Sequence, residues 1–311
     1  MYRYSIKLDN PIDLQGTLFS GQSFMWNNVP GEVGLYAAVV SGVPLVVSQQ
    51  STDELDVHAA SNEICGMDVP DFIRHYFTDD VQYEGLFPET FSKRFIDVWE
   101  LLPPYFHLKV LRQQFFETMI TFMCAQGIGM HLIRRQVSML SMRYGKRMSI
   151  TLGGQEIVLY GSPAPEPLAS ADPRELCKCT NNNRIRAANI IESSKAIASG
   201  QIDSEALKDP DIPINDLRNM LSCAGGIGYK IADCMALFGL GRFDAFPVDT
   251  HVRQYMGTWF GSQSALRSLT PAGYLLIDAD ARSILNPLMA GYAGHLLFHC
   301  WRKEVRKLQS F

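Results

Sequence analysis

The sequence predicts an α+β protein, an N-terminal antiparallel β domain followed by a larger, mostly helical region. Three observations carry that expectation. Apolar and polar residues alternate with period 2 over the first 50 residues, and the period becomes helical from about residue 105. A chain of 311 residues that is 47% hydrophobic also has ample material for a core. The boundary is expected between an N-terminal β-rich domain over 1–104 and a helical region over 105–311.

Tyr2, Tyr4 and Ile6 alternate with polar neighbours, and residues 34–40 and 43–49 flank a Ser-Gly turn as an up-down strand pair. Residues 51–77 read as polar and helical. Residues 110–124 form a strongly apolar helical run, which Ala125-Gln126-Gly127-Ile128-Gly129 interrupts and 130–144 resumes with an arginine-rich face. Gly153-Gly154 joins 150–152 to 156–159 as a small hairpin. Pro163, Pro165 and Pro167 mark a loop leading into 168–179. Further helices are expected near 184–199, 214–222, 229–238, 250–260, 275–285 and 289–307.

Composition narrows the function classes. No apolar run is long enough for a membrane span, and the opening MYRYSIKLDN lacks the apolar stretch of a secretory leader. Seven cysteines, an odd number, point to a reducing, cytoplasmic setting. Cys177 and Cys179 are spaced too tightly for the usual zinc pattern, so no metal is expected. A formal charge of −4 argues mildly against a nucleic-acid partner. The charge is uneven, however, with basic clusters at Lys109/Arg112, Arg134/Arg135, Arg143/Lys146/Arg147, Arg184/Arg186 and Arg302/Lys303/Arg306/Lys307. A local basic face suffices for phosphate contacts.

The chemistry-bearing stretch is 221–252, which reads LSCAGGIGYKIADCMALFGLGRFDAFPVDTHV. Gly226 and Gly228 bracket one aliphatic residue and can take backbone conformations closed to residues with a Cβ, so a hairpin there can press its N–H groups against another backbone. A helix starting near Tyr229 offers its N-terminus to a phosphate. With the helical run 214–222 before it, this makes a helix-hairpin-helix over 214–239, a device that grips DNA without reading its sequence. Lys230 follows the hairpin directly, and Asp249 sits in Pro247-Val248-Asp249-Thr250-His251, where it also suits a helix N-cap.

The hairpin, Lys230, Ala232-Asp233-Cys234 and the Pro247 to His251 run together resemble the helix-hairpin-helix DNA glycosylases, and among them the 8-oxoguanine DNA glycosylase/lyase branch. Gly21-Gln22-Ser23-Phe24-Met25-Trp26 is similar to that branch's Gly-Gln-Ser-Phe-x-Trp segment, and Tyr292-Ala293-Gly294 lies in a Pro-x-x-x-Gly-Tyr-Ala-Gly setting. The resemblance implies a bifunctional enzyme that flips an oxidised purine out of duplex DNA and excises it. Lys230 would attack C1′ to form a Schiff base that nicks the strand, and Asp249 would stabilise the cationic sugar. It assigns Gly21, Phe24, Cys234, Leu297 and Trp301 to the base pocket. Gly226, Gly228, Tyr229, His251 and Arg186 fall to the DNA contacts. The Gly21 carbonyl would accept the N7–H of 8-oxoguanine, which guanine lacks. The implied partner is damaged double-stranded DNA, met by a monomer without a cofactor.

Departures from the branch are specific. Its asparagine run falls on Gly127, Ile128 and Gly129, one of its two cytosine-reading arginines on Leu132, and its wedge tyrosine on Ile185. The second arginine is Arg186. The glutamine that reads the Watson–Crick edge falls on Leu297 and the stacking phenylalanine on Trp301, with His295 or His299 as candidate replacements for the lost polar contact. Two other readings remain. One is an alkylpurine glycosylase, whose relatives use the aspartate without the lysine; Lys230 weighs against it. The other is a non-enzymatic DNA-binding protein, against which stand Asp249 and the Gly21 to Trp26 segment.

Overall fold

The computed structural model describes residues 1–308. Its N-terminal part is a five-stranded antiparallel sheet in the order β1-β5-β4-β3-β2, built from β1 (Tyr2–Lys7), β2 (Asn27–Asn28), β3 (Leu35–Val40), β4 (Val43–Ser51) and β5 (Glu54–Ala59). Register pairs such as Val47↔Val57 and Ala37↔Val46 put like faces together. A two-stranded ribbon, β6 (Glu63–Ile64) with β7 (Met67–Asp68), follows. The expectation of helix over 51–77 holds only for its end. Leu55, Val57 and Ala59 are fully buried while Glu54, Asp56 and His58 are not, a strand's period of 2.

The first helices are α1 (Leu14–Leu18), α2 (Val69–Tyr76), α3 (Phe91–Arg94), α4 (Ile96–Leu101), α5 (Phe115–Cys124) and α6 (Met130–Tyr144). A hairpin of β8 (Arg147–Leu152) and β9 (Gln155–Tyr160) comes next, then α7 (Pro165–Ala169), α8 (Pro173–Cys179), α9 (Arg184–Ala198) and α10 (Ile214–Ser222). The chain closes with α11 (Tyr229–Cys234), α12 (Thr250–Phe260), α13 (Pro271–Ile284) and α14 (Ala290–Cys300). Both α11 and α14 run into a single π turn, at Met235–Gly239 and Trp301–Val305, where helix had been expected throughout. The helix expected from 110 begins only at Phe115. Residues 109–113 stay extended because Gln22 ties down their backbone: its Nε2 donates to Lys109 O and its Oε1 accepts from Leu111 N.

The sheet buries both faces. Tyr36, Ala38, Leu45, Val47, Leu55 and Val57 enter one large core shared with the helices. Ala37, Val39 and Val46 pack instead on Ile150, Ile157 and Leu159 of the β8–β9 hairpin. The expected division at 104/105 is thus crossed by packing in both directions.

A buried polar cluster fastens the helices near the hairpin. Arg218 on α10 donates from Nε to both Asp233 oxygens on α11, at 2.9 and 3.1 Å, and both side chains are almost wholly excluded from solvent. Asp278 on α13 accepts from the same guanidinium at 3.3 Å. Tyr274, also on α13, donates to Asp233 Oδ2 at 2.5 Å and accepts from Val248 N at 3.1 Å. Asp233 is therefore a partner of Arg218, not of Lys230 three residues before it. Tyr274→Phe leaves a buried carboxylate oxygen and a buried N–H without this hydroxyl, which costs about 1–3 kcal/mol. Denaturant unfolding is expected to register that loss with an unchanged m-value, and equal stability would show the hydroxyl to be dispensable.

Candidate active site

Two cavities meet beside the hairpin. The more enclosed one, about 390 Å³, is lined by Gly21, Phe24, Phe122, Met130, Ile133, Phe238, His295 and Phe298, among others. That is the size and mostly apolar character of a small-molecule site. The other is a wider cleft of about 760 Å³ bordered by residues 127–129, Gly228, Tyr229, Thr270 and Tyr274. Lys230, Asp249 and His251 line both. The two candidate catalytic residues therefore stand where a closed apolar chamber opens onto the surface.

Local structure explains their placement. Gly226, at φ +81°, turns the hairpin, and a Cβ there would lie 2.4 Å from the Asn189 amide. Gly228 has an ordinary φ of −89° and open space around it, so strain does not require glycine at that position; it is the N-cap of α11. Lys230 is half-buried, its ammonium 5.0 Å from the centre of the Phe122 ring. Asp249 is the N-cap of α12 and accepts from Val252 N at 2.9 Å, which fixes its carboxylate. The Tyr274 hydroxyl bridges α11 to the segment before Asp249, so one buried group sets the spacing of both.

Gly21 sits at φ +94° beneath Met130 and faces the enclosed cavity together with Phe24. Trp26 is buried and donates to Tyr76 Oη at 3.0 Å, so it is core. Cys234 lines the cavity as a buried thiol, pushed up to about 12 chiefly by burial. His251 packs edge-on to Phe298 at 5.7 Å, and its Nδ1 is buried without a hydrogen bond. Burial lowers its ring below the usual histidine range; Arg302 and Arg306 add to that, and Asp249 opposes it. Tyr229 borders the cleft, its ring edge-on to Tyr274 at 5.7 Å.

Three expected assignments are corrected. Leu297 and Trp301 do not face the cavity. Leu297 is fully buried, and Trp301 packs against Trp259 with ring centres 4.9 Å apart. Gly291, Gly294, His295, Phe298 and Arg302 form the lining face, one residue (about 100° of helix) away from the expected phase. Gly291 and Gly294 hold that phase, since a Cβ would come 1.8 Å from Ala245 O at the first and 2.4 Å from the Phe246 ring at the second. The third is Arg186, which is buried and donates to the Gln126 carbonyl at 2.5 Å and to Gln136 Oε1 at 3.1 Å. It braces the 125–129 loop instead of facing the cleft.

The expected basic patches are also partly internal. Lys109 and Arg302 are buried, and Arg112 pairs with Asp80. Among the described residues no group of three or more His, Cys, Asp or Glu could hold a metal ion, and no helix is long and apolar enough to cross a membrane. Sequence reading missed Phe122, Phe238 and Phe298 in the cavity wall, which in one dimension read only as helix-core residues.

Known proteins resemble this chain in sequence and fold. A family described as 8-oxoguanine DNA glycosylase, N-terminal domain, matches residues 5–119, and the HhH-GPD superfamily base excision DNA repair protein family matches 137–270. The chain belongs to the helix-hairpin-helix DNA glycosylases. Within that family, the N-glycosylase/DNA lyase of Saccharomyces cerevisiae is 26% identical over 259 residues, 77% of this chain and 66% of the relative. The Arabidopsis thaliana N-glycosylase/DNA lyase OGG1 is 26% identical over 209 residues, 67% of this chain and 56% of the relative. The chain thus matches less than two thirds of either relative's length. Among solved structures, MBOgg1 in complex with a low-affinity DNA ligand superposes with a TM-score of 0.77 at 25% identity, covering 97% of this chain and 99% of that one. The 8-oxoguanine glycosylase/lyase of Clostridium acetobutylicum with cytosine-containing duplex DNA shares the fold, with a TM-score of 0.74 at 20% identity over 96% and 98% of the two chains.

His295 and His299 on α14 are buried, and burial pushes them down to about 3 and about 4, with the positive charges of Arg302 and Lys303 in the turn after the helix adding to the effect. Both are neutral in the folded protein at pH 5, whereas unfolded histidine takes up a proton below about 6.5. The unfolded chain then binds more protons, so stability present above about pH 6.5 falls as pH is lowered toward 4. Each ring is expected to cost about 2 kcal/mol at pH 5 relative to pH 7.5. Denaturant unfolding of the wild type and of His299→Phe at the two pH values checks this. An equal pH dependence in both proteins would overturn it for His299.

Proposed function

We propose that the protein is a base-excision repair enzyme that extrudes 8-oxoguanine from duplex DNA, excises it, and nicks the resulting abasic site. The observation that carries this reading is the position of Lys230 and Asp249 at the junction of the enclosed chamber and the open cleft. A duplex lying in the cleft would send one nucleotide inward, its base entering the aromatic-walled chamber and its sugar stopping at the junction. As the C1′–N9 bond breaks, its electron pair leaves with the base and positive charge develops on the sugar. The Asp249 carboxylate, held by Val252 N, suits stabilising that charge. The departing base anion takes a proton from the Lys230 ammonium, and the freed amine bonds to C1′. Its next proton passes to O4′ as the ring opens to the Schiff base, and loss of a C2′ proton expels the 3′-phosphate.

The hairpin supports the same reading. Its exposed Gly228 leaves space for a phosphate beside Tyr229, and contacts of that kind position DNA without specifying sequence. Leu132 is aliphatic, and Arg186 is engaged internally, so neither expected cytosine reader is offered to the opposite strand. The enzyme is therefore expected to discriminate weakly among bases opposite the lesion. It would act as a monomer, and the seven free cysteines suit a reducing, cytoplasmic setting. Lys230 favours this over an alkylpurine glycosylase that works without a lysine nucleophile.

Lys230→Gln is expected to abolish borohydride-trapped adduct and strand nicking while sparing lesion-duplex binding; wild-type trapping would place the nucleophile elsewhere. Asp249→Asn keeps size and capping ability, and single-turnover excision is expected to slow roughly a hundredfold or more. A near wild-type rate would leave Asp249 as a helix cap only. Excision of 8-oxoguanine opposite each of the four bases tests the substrate reading. A strict cytosine requirement, or activity confined to 3-methyladenine, would contradict it.

A further inference from the structure

The enclosed chamber is walled by Phe24, Phe122, Phe238 and Phe298, and a purine held there also needs a polar contact to fix its orientation. One polar side chain in the wall, His295, is held by neighbours that suit a particular proton arrangement. His295 Nε2 lies 2.9 Å from Ser20 Oγ. The Ser20 hydroxyl also lies 3.1 Å from the Thr17 carbonyl, which can only accept, so with its single proton directed there its oxygen accepts from the histidine. In that arrangement the N–H is on Nε2 and Nδ1 keeps its lone pair. The ring is clamped between Phe238, edge-on at 5.3 Å, and Phe298, nearly parallel at 6.0 Å. Among the described residues no group bonds to Nδ1 of His295, and the residue lines the chamber. The other candidate, His299, packs on Tyr105 outside the chamber wall.

We propose that His295 is a specificity-determining residue that reads the extruded base, its Nδ1 accepting a hydrogen bond from a ring or exocyclic N–H of an oxidised purine. The inference rests on the excision reading above and adds the group that α14 uses for recognition. Ser20 immediately precedes Gly21, so the Ser20–His295 bond also joins the two elements that face the base from opposite ends of the chain. Burial, helped by the nearby Arg302 charge, keeps the imidazole neutral, so its ring nitrogen acceptor persists across the working pH range.

Two substitutions separate reading from support. His295→Gln can keep a donor to Ser20 but has no acceptor at the Nδ1 position, whereas His295→Asn keeps an acceptor near Nδ1 and loses the Ser20 bond. His295→Gln is expected to unfold within a few degrees of wild type and to excise 8-oxoguanine roughly ten- to a hundredfold more slowly, the cost of leaving a base donor unpaired. His295→Asn is expected to be less stable yet to excise faster than the glutamine variant. Wild-type excision by His295→Gln, or losses in both variants that track stability alone, would overturn the proposal. A second measurement does not depend on catalysis. The ¹⁵N spectrum of His295 should show protonated Nε2 and bare Nδ1, and the Nδ1 resonance should move when free 8-oxoguanine nucleobase is added. An unmoved resonance overturns the inference even in an active enzyme. A moved resonance in a protein that excises nothing upholds it and overturns the excision reading instead.

Discussion

The buried Arg218–Asp233–Tyr274 cluster is the constraint on which the candidate site depends. It joins α10 to α11, α11 to α13, and through the Tyr274 hydroxyl reaches the backbone just before Asp249. Lys230 and Asp249 lie on separate helices that share few direct contacts. Their relation is set by groups that never touch a substrate. Desolvating such an ion pair is costly, and an apolar replacement of similar volume could match its stability. What apolar packing would not supply is direction, because charged and hydroxyl groups accept partners only along defined lines. The cluster holds the two helix starts at one angle.

The same logic explains why an acidic protein can carry the machinery of a DNA-binding family. Several of the basic residues serve the interior: Arg186 braces a loop, Arg218 anchors the hairpin helices, and Arg134 donates to the Trp26 carbonyl while lying over Phe19. In the proposed DNA complex, grip on a backbone would rest more on peptide N–H groups at helix starts than on a broad basic surface. Such contacts are short-ranged and shape-dependent.

Much of this was legible in one dimension, for a physical reason. The hairpin glycines, Lys230, Asp249 and the Gly21 to Trp26 segment act through local backbone geometry, so short motifs carry them. The two-part α+β architecture followed from periodicity alone. The failures were all of phase or partner. Residues 54–59 alternate like a strand, yet the polar neighbours around them masked it. Leu297 and Trp301 were placed by matching the family's motif along the chain, whereas the rotation of their helix is set by Gly291 and Gly294 against residues 245 and 246, a contact no local pattern reveals. Arg186 looked like a surface residue because nothing in its neighbourhood names Gln126 or Gln136 as partners 60 and 50 residues away.

The tight seating of α14 has an evolutionary consequence. A helix that packs through two bare backbones cannot roll to offer a different set of side chains, so the chamber can change its chemistry only by substitution at positions already facing it. His295, Phe298 and Arg302 are such positions, since none of them supplies the backbone contact through which the helix docks. Under the proposed function, a lineage could then wander among damaged bases by single amino-acid steps while the Lys230–Asp249 junction stayed still. The glycines that look least informative are what make the pocket free to vary.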